Sequence, residues 1–220
     1  MKLSKDTVEI LKNFAQINNN LVIKTGKKIS TLSPSKAIMA EYEGDDEFDE
    51  DVALFNLTEF LGAFSSFSDP ELDLDTKSLT IKQGKQQVKY VYANEDVLIT
   101  PKKAIVMPTA DVTVKLTNET IVKMQKMASV LSVEDIAIVG DGKTVSIKVL
   151  DKKNPTANSF DIDLEVATKK NFTIYFKIDN LRLFSADYSV ELSSKRISKW
   201  SADGIKLTVF IAVEADSTFA

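Results

Sequence analysis

The chain of 220 residues contains no cysteine and no histidine. Without cysteine there is no disulfide, no thiol nucleophile and no thiolate metal site. Without histidine there is no imidazole relay of the kind that serves hydrolases. Arginine is scarce too: of 28 basic residues only Arg182 and Arg196 are arginine, and the others are lysine. Neither GxxxxGK[ST] nor GxGxxG occurs, so no nucleotide-cradling loop is visible. No apolar run approaches the roughly 20 residues that span a bilayer. The opening MKLSKDTVEILKN is charged and amphipathic, unlike an export signal. Carboxylates, lysine, tyrosine, serine and threonine are all that remain for catalysis, and most routes to an enzyme are closed.

What is present is ordinary for a folded protein: 44% hydrophobic and 27% charged residues, with a net charge of −4. That balance argues against a generally basic coat for nucleic acid. The charge is uneven, however. EYEGDDEFDED, residues 41–51, is dense in carboxylates, while two amphipathic segments carry Lys5, Lys12, Lys123 and Lys126.

Those two segments are the clearest pattern in the chain. LSKDTVEILKNFAQI, residues 3–17, aligns without a gap on LTNETIVKMQKMASV, residues 116–130. At about 100° per residue, Lys5, Glu9, Lys12 and Gln16 share one stripe, with Val8, Leu11, Phe14 and Ala15 opposite. Ser4 is the expected N-cap of the first helix, and Thr117 or Asn118 that of the second. A second pair follows: ALFNLTEFLGAF from residue 53 matches YFKIDNLRLFSA from residue 175. Phe60, Leu61, Phe64 and Phe67 of the first member are spaced as core residues.

Short alternating stretches trail each helix, namely ELDLD, SLTIKQG and QQVKYVYA in one half, and YSVELS, RISKWSA and IKLTVFIAVEA in the other. Gly-Asp-Gly between two β-rich arms marks a hairpin. The expected organisation is therefore two similar domains, 1–95 and 111–220, joined by a connector at 96–110 that contains Pro101 and Pro108. Each domain is expected to hold two helices on antiparallel sheets, an α+β class. The acidic run is expected as a solvated outer loop.

The segments MKLSKDTVEILKNFAQIN, FDEDVALFNLTEFL and VFIAVEADSTFA resemble the sliding clamps of T-even-like bacteriophages, processivity factors of the phage DNA polymerase. The resemblance implies the DNA-clamp fold, with three subunits joined head to tail in a pseudo-six-fold ring, helices lining the hole and sheets outside. It implies a clamp that encircles duplex DNA irrespective of sequence and tethers the replicative polymerase. An ATP-dependent loader would be a partner, contacts would extend to late transcription factors, and the setting would be the cytoplasm of the infected bacterial host. No cofactor and no metal are implied.

On that resemblance Lys5, Lys12, Lys123, Lys126 and Arg182 are the residues expected to face DNA, with Lys2, Gln16, Gln125 and Lys177 as weaker choices. The plain alternative is that these lysines solvate exposed helix faces. Partner peptides would seat on apolar surface, for which Val97, Leu98, Ile99, Val209 and Ile211 supply the material. The acidic run lacks the order of a calcium loop, so no metal site is expected there. Two rival readings stand beside the clamp: a monomeric β-rich viral structural or binding module, and a nuclease using Asp45, Asp46, Asp49, Asp161 or Asp163.

Overall fold

The computed structural model describes residues 1–219 and divides the chain into two compact units. The first comprises Met1–Ala104 with Lys206–Thr208, and the second Ile105–Ile205 with Val209–Ala220.

The first unit opens with α1 (Lys5–Ile17), which starts where the sequence says it should: Ser4 Oγ accepts from the Thr7 backbone N–H. Its buried side is Thr7, Ile10, Leu11, Phe14 and Ile17, while Val8 and Ala15, expected inside, sit at the half-buried margin. The buried arc is thus centred on Ile10 and Phe14 rather than on Leu11 and Ala15. Strands β1 (Leu21–Ile23), β2 (Gly26–Leu32), β3 (Ile38–Phe48) and β4 (Val52–Leu54) follow, arranged β4-β1-β2-β3 with antiparallel pairing. Then come α2 (Leu57–Ser65) and a three-stranded sheet in the order β5 (Glu71–Asp75), β6 (Ser78–Gln83), β7 (Gln86–Val91). Phe60, Leu61 and Phe64 of α2 are buried, and Phe60 meets Tyr90 of β7 edge-on at 5.8 Å. Phe67 lies beyond the helix and is half-buried.

The acidic run is not a loop. It is most of β3, and the reason is period-2 alternation. Tyr42 and Phe48 take the core side, while Glu43, Asp45 and Glu47 point out. Gly44 is required by close approach, since a Cβ there would come within 2.7 Å of the Tyr42 ring. Lysines neutralise the row from neighbouring segments: Lys28 reaches Glu41 at 3.0 Å, Lys24 reaches Asp51 at 2.9 Å, and Lys206 reaches Glu43 at 3.0 Å.

The second unit repeats the plan. After β8 (Val112–Leu116) comes α3 (Asn118–Leu131), N-capped by Thr117 and ended by Ser132 in the left-handed conformation. Ile121, Met124 and Ala128 are its buried side. Strands β9 (Asp135–Asp141), β10 (Thr144–Leu150), β11 (Phe160–Ala167) and β12 (Asn171–Lys177) are ordered β12-β9-β10-β11, the counterpart of β4-β1-β2-β3. The β9–β10 hairpin turns at Gly142, whose φ of 82° suits glycine. Strands β13 (Tyr188–Ser193), β14 (Ile197–Ala202) and β15 (Leu207–Ala212) mirror β5, β6 and β7, and the short β16 (Thr218–Phe219) pairs with β12. Even the first residues correspond. Met1 and Leu72 exchange two backbone hydrogen bonds at the edge of β5, where β8 pairs with β13 in the second unit.

One element of the repeat is missing. The segment expected as a fourth helix, 178–184, forms only a single 3₁₀ turn, Ile178–Asn180, so among the described residues the second unit has one α-helix and not two. No side chain caps its start. The Leu181 carbonyl accepts from Gln125 Nε2 at 2.8 Å instead of from a following turn. Seven residues are too few to nucleate a helix without such help.

Within the second unit Trp200 is wholly buried, meeting Phe176 and Tyr188 edge-on. Its indole Nε1 donates to Ser198 Oγ, which in turn donates to the Ile211 carbonyl, each at 2.8 Å. Ser198→Ala leaves the buried indole N–H of Trp200 without its acceptor, for which the expected cost is about 1–3 kcal/mol. Chemical denaturation monitored by fluorescence of the single tryptophan reads it directly; an unchanged midpoint would refute the assignment.

Candidate nucleic-acid interface

Burying one side of α1 and α3 leaves the other side facing water, and the lysines are on it. Lys5 and Lys12 on α1, and Lys123 and Lys126 on α3, are all exposed. Among the described residues no ion pair engages Lys5, Lys123 or Lys126. Lys12 pairs with Glu9 one turn earlier at 2.7 Å. Arg182 is exposed and its Nε donates to the Asp179 carbonyl at 3.0 Å, so it leaves an irregular segment rather than a helix.

Three of the four weaker choices are otherwise occupied, and Gln16 is exposed on α1. Lys2 pairs with Asp69 at 2.5 Å, and that hydrogen bond raises its pKa. Lys177 is bound to Asp135 at 2.7 Å. Gln125 donates to Leu181, as above. Of the five residues expected to offer apolar surface, three do not: Leu98 packs with Val22 and Ala53 in the first unit, and Val209 and Ile211 have no exposure at all. The cause for the last two is that they share with Leu207 and Val213 the face of β15 turned into the core, so strand alternation buries them instead of offering them to a partner. Val97 and Ile99 remain exposed, at 64% and 38%.

The nearest thing to a reactive cluster is in the second unit. Lys152 lies 3.0 Å from Asp216, 3.3 Å from Glu214 and 4.0 Å from the buried Asp135, with its ammonium 5.4 Å from the centre of the Tyr175 ring. Burial works against the charge on Lys152, but hydrogen bonds to Asp216 and Glu214 outweigh it and the net shift is upward. The hydrogen bond to Asp135 likewise raises Lys177, and the bond from Lys152 lowers Asp216. Each of these three groups is thus held more firmly in its charged form. A general base lysine or a general acid carboxyl needs the opposite shift, toward neutrality. The cluster is a structural tie for the segment after β15. Among the described residues no three metal-ligating side chains gather at one point, and no helix is long and apolar enough to cross a membrane.

Three curated relatives match nearly the whole chain. A sliding clamp of Vibrio phage KVP40 is 30% identical, with 98% of this chain and 100% of the relative covered. The chain belongs to the sliding-clamp family of T4-like phages. The sliding clamps of Escherichia phage RB69 and Enterobacteria phage T4 are 31% and 27% identical, each over 99% of both chains. No protein-family profile matches the chain. Among solved structures, the proliferating cellular nuclear antigen of Entamoeba histolytica superposes with a TM-score of 0.69 at 13% identity, covering 94% of each chain. The A. fulgidus antigen, solved with the C-terminal region of FEN-1, gives 0.69 and 13% over 96% of each. The clamp fold is shared despite this low identity.

Two site residues have no local sequence signal: Asp46 and Asp187, each of which bonds the start of a lysine-bearing helix from far along the chain. Only the three-dimensional fold brings them there.

The Lys152 cluster makes a pH-dependent prediction. Asp216 is depressed, so its contribution is present above the usual carboxylate range and is lost as pH falls through its lower folded value. Lys152 is raised, so its contribution is full below the usual lysine range and is lost only as pH climbs past it. Lys152→Met is expected to cost roughly 1.5–3 kcal/mol between about pH 5 and 9, with the deficit shrinking below about pH 4 as Asp216 protonates. Urea denaturation of both proteins across pH measures this; a deficit that does not shrink in acid refutes the tie.

Proposed function

We propose that this sliding clamp works as a non-enzymatic homotrimer, a closed ring around duplex DNA in the cytoplasm of the infected bacterial cell. There it tethers the replicative polymerase, and an ATP-dependent loader places it, since no nucleotide motif exists in the chain. Contacts with late transcription factors use the same tether. The observation that carries this reading is the full-length match at about 30% identity to phage sliding clamps.

The charge on the two helix faces supports retention by enclosure. Around the exposed side of α1, Lys5 and Lys12 are balanced by Asp6 and Glu9; α3 carries Lys123 and Lys126 against Glu119. Helix α2 brings Glu59 and no basic residue. So small an excess of positive charge cannot hold a protein on DNA at moderate salt, where about 6–10 phosphate contacts already lose 10³–10⁵ in affinity. A ring escapes that limit, because leaving requires opening. Lysine suits the task better than arginine, being a mobile point charge rather than a bidentate reader of guanine.

In this reading the ring closes through sheet edges. The longest strands that end a sheet are β7 in the first unit and β11 in the second. Strand β7 exposes Val88, Lys89 and Val91, whereas β11 exposes Asp161, Asp163 and Glu165. One edge is basic and the other acidic, so β7 of one copy fits β11 of the next. The domains 1–95 and 111–220 then act as two successive arcs, with Val97 and Ile99 of the connector open to partners.

Two experiments test this. Protein loaded on closed circular DNA should stay until the circle is cut and then run off the ends, and Lys12→Glu with Lys126→Glu should abolish most polymerase stimulation while the trimer persists. Immediate loss from uncut circles would defeat the ring, and full stimulation by the double variant would remove those lysines from the DNA face. Separately, Lys89→Glu should weaken the trimer about tenfold, or 1.4 kcal/mol, by sedimentation, and Glu165→Lys in the same chain should restore it. A mass unaffected by either change excludes the β7–β11 contact.

A further inference from the structure

Both lysine-bearing helices begin beneath a carboxylate that arrives from a distant part of their own unit. At α1, Asp46 of β3 accepts from the Ser4 backbone N–H and from Ser4 Oγ, each at 2.8 Å. At α3, Asp187 accepts from the Asn118 backbone N–H at 2.7 Å. Neither helix lacks a cap of its own. Ser4 Oγ accepts from Thr7 N–H, and Thr117 Oγ1 accepts from Thr120 N–H, both at 3.2 Å. What the carboxylates add is a full negative charge where the helix dipole leaves about half a positive one.

Duplication alone does not account for the pair. Asp46 belongs to β3, whose counterpart in the second unit is β11. Asp187 stands just before β13, whose counterpart in the first unit is β5, preceded by Pro70. Two different places in the topology therefore deliver the same group to the starts of equivalent helices, to the cap residue Ser4 of α1 and to Asn118, the first residue of α3.

We propose that Asp46 and Asp187 are positioning residues for sliding: they close the starts of α1 and α3 to phosphate, so that DNA meets only mobile lysines. An open helix start presents fixed N–H donors that hold a phosphate oxygen at one point. Such donors would trap the backbone at each register and roughen the path along it. A lysine passes from one phosphate to the next by bond rotation. Filling the helix starts with carboxylate removes the fixed anion sites and leaves the flexible cations. This rests on the clamp reading and on α1 and α3 facing DNA.

The test compares wild type, Asp187→Asn and the double variant Asp46→Asn with Asp187→Asn, each loaded on linear duplex with blocked ends and tracked as single molecules. Asparagine keeps the shape and an acceptor oxygen but not the charge. The double variant should diffuse about three- to tenfold more slowly at about 50 mM salt, with the difference closing by about 200 mM as the phosphates are screened. Asp→Glu at both positions keeps the charge and should restore wild-type diffusion. A purely structural role would lower the melting temperature and leave diffusion unchanged, and that result overturns the proposal. If Asp46→Asn does not fold, Asp187→Asn alone carries the test, since Asp187 is exposed and Thr117 still caps α3; diffusion equal to wild type at both salts then overturns the proposal. Wild type that is never retained between blocked ends would instead refute the ring itself, so the two failures are distinct.

Discussion

The burial of one side of α1 and one side of α3 is the constraint on which the rest depends. Ile10, Phe14 and Ile17 in one helix, and Ile121, Met124 and Ala128 in the other, are removed from water against their own sheets. Each of the larger of these side chains contributes about 1.5–3 kcal/mol when fully buried, far more than any exposed lysine can contribute or cost. Rotation of either helix about its axis would expose that apolar arc. The direction in which Lys5, Lys12, Lys123 and Lys126 point is therefore set by the core and not by any attraction among charges. The hydroxyl caps fix where each helix starts, and the distant carboxylates tie that start to a strand.

Charge plays a smaller and different part. The acidic strand β3 is trimmed by Lys28 and Lys206, Lys24 pairs with Asp51 just beyond it, and the buried Asp135 is held by Lys177 with Lys152 nearby. The exposed pairs among these add little stability each, because water and salt screen them. Their effect is on the field the molecule presents. A protein of net charge −4 that must travel along a polyanion does best with modest, local attraction and with no strong anion site to stop it. The near balance of acid and base on α1 fits that requirement better than a strongly basic face would.

Much of this was legible in the residues. The gapless match of 3–17 with 116–130 predicts two equivalent helices, and they occur with Ser4 and Thr117 as caps. The strands ELDLD, SLTIKQ, YSVELS and ISKWSA occupy their expected places because their alternation is regular. The failures have physical causes. The acidic run reads as a loop because carboxylates dominate its composition, yet Tyr42 and Phe48 supply the core-facing positions of a strand. The segment 178–184 has helical spacing, but Gln125 claims the Leu181 carbonyl, a contact between residues 56 apart in the sequence. Val209 and Ile211 lie with Leu207 and Val213 on the buried face of β15, and apolar composition alone does not say whether such a face meets its own core or a partner. Asp46 and Asp187 act across 42 and 69 residues, beyond the reach of any local pattern.

Edge strands complete the argument from physics to assembly. A sheet that ends in an unpaired strand offers a row of backbone donors and acceptors to any passing chain, and proteins manage such edges by covering, twisting or charging them. Here the β5 edge is met by Met1 and the β4 edge by Ala93, each through the backbone. Strands β7 and β11 carry charges of opposite sign instead of a cover. Like charge on both would repel second copies; opposite charge invites them. Because the two edges differ, a contact between them would be head to tail, and a head-to-tail contact either closes on itself or grows without limit. A chain built from two copies of one unit, with unlike edges, is suited to the closed outcome: each added subunit repeats the same turn, and once the first edge meets the last, no edge remains to recruit another.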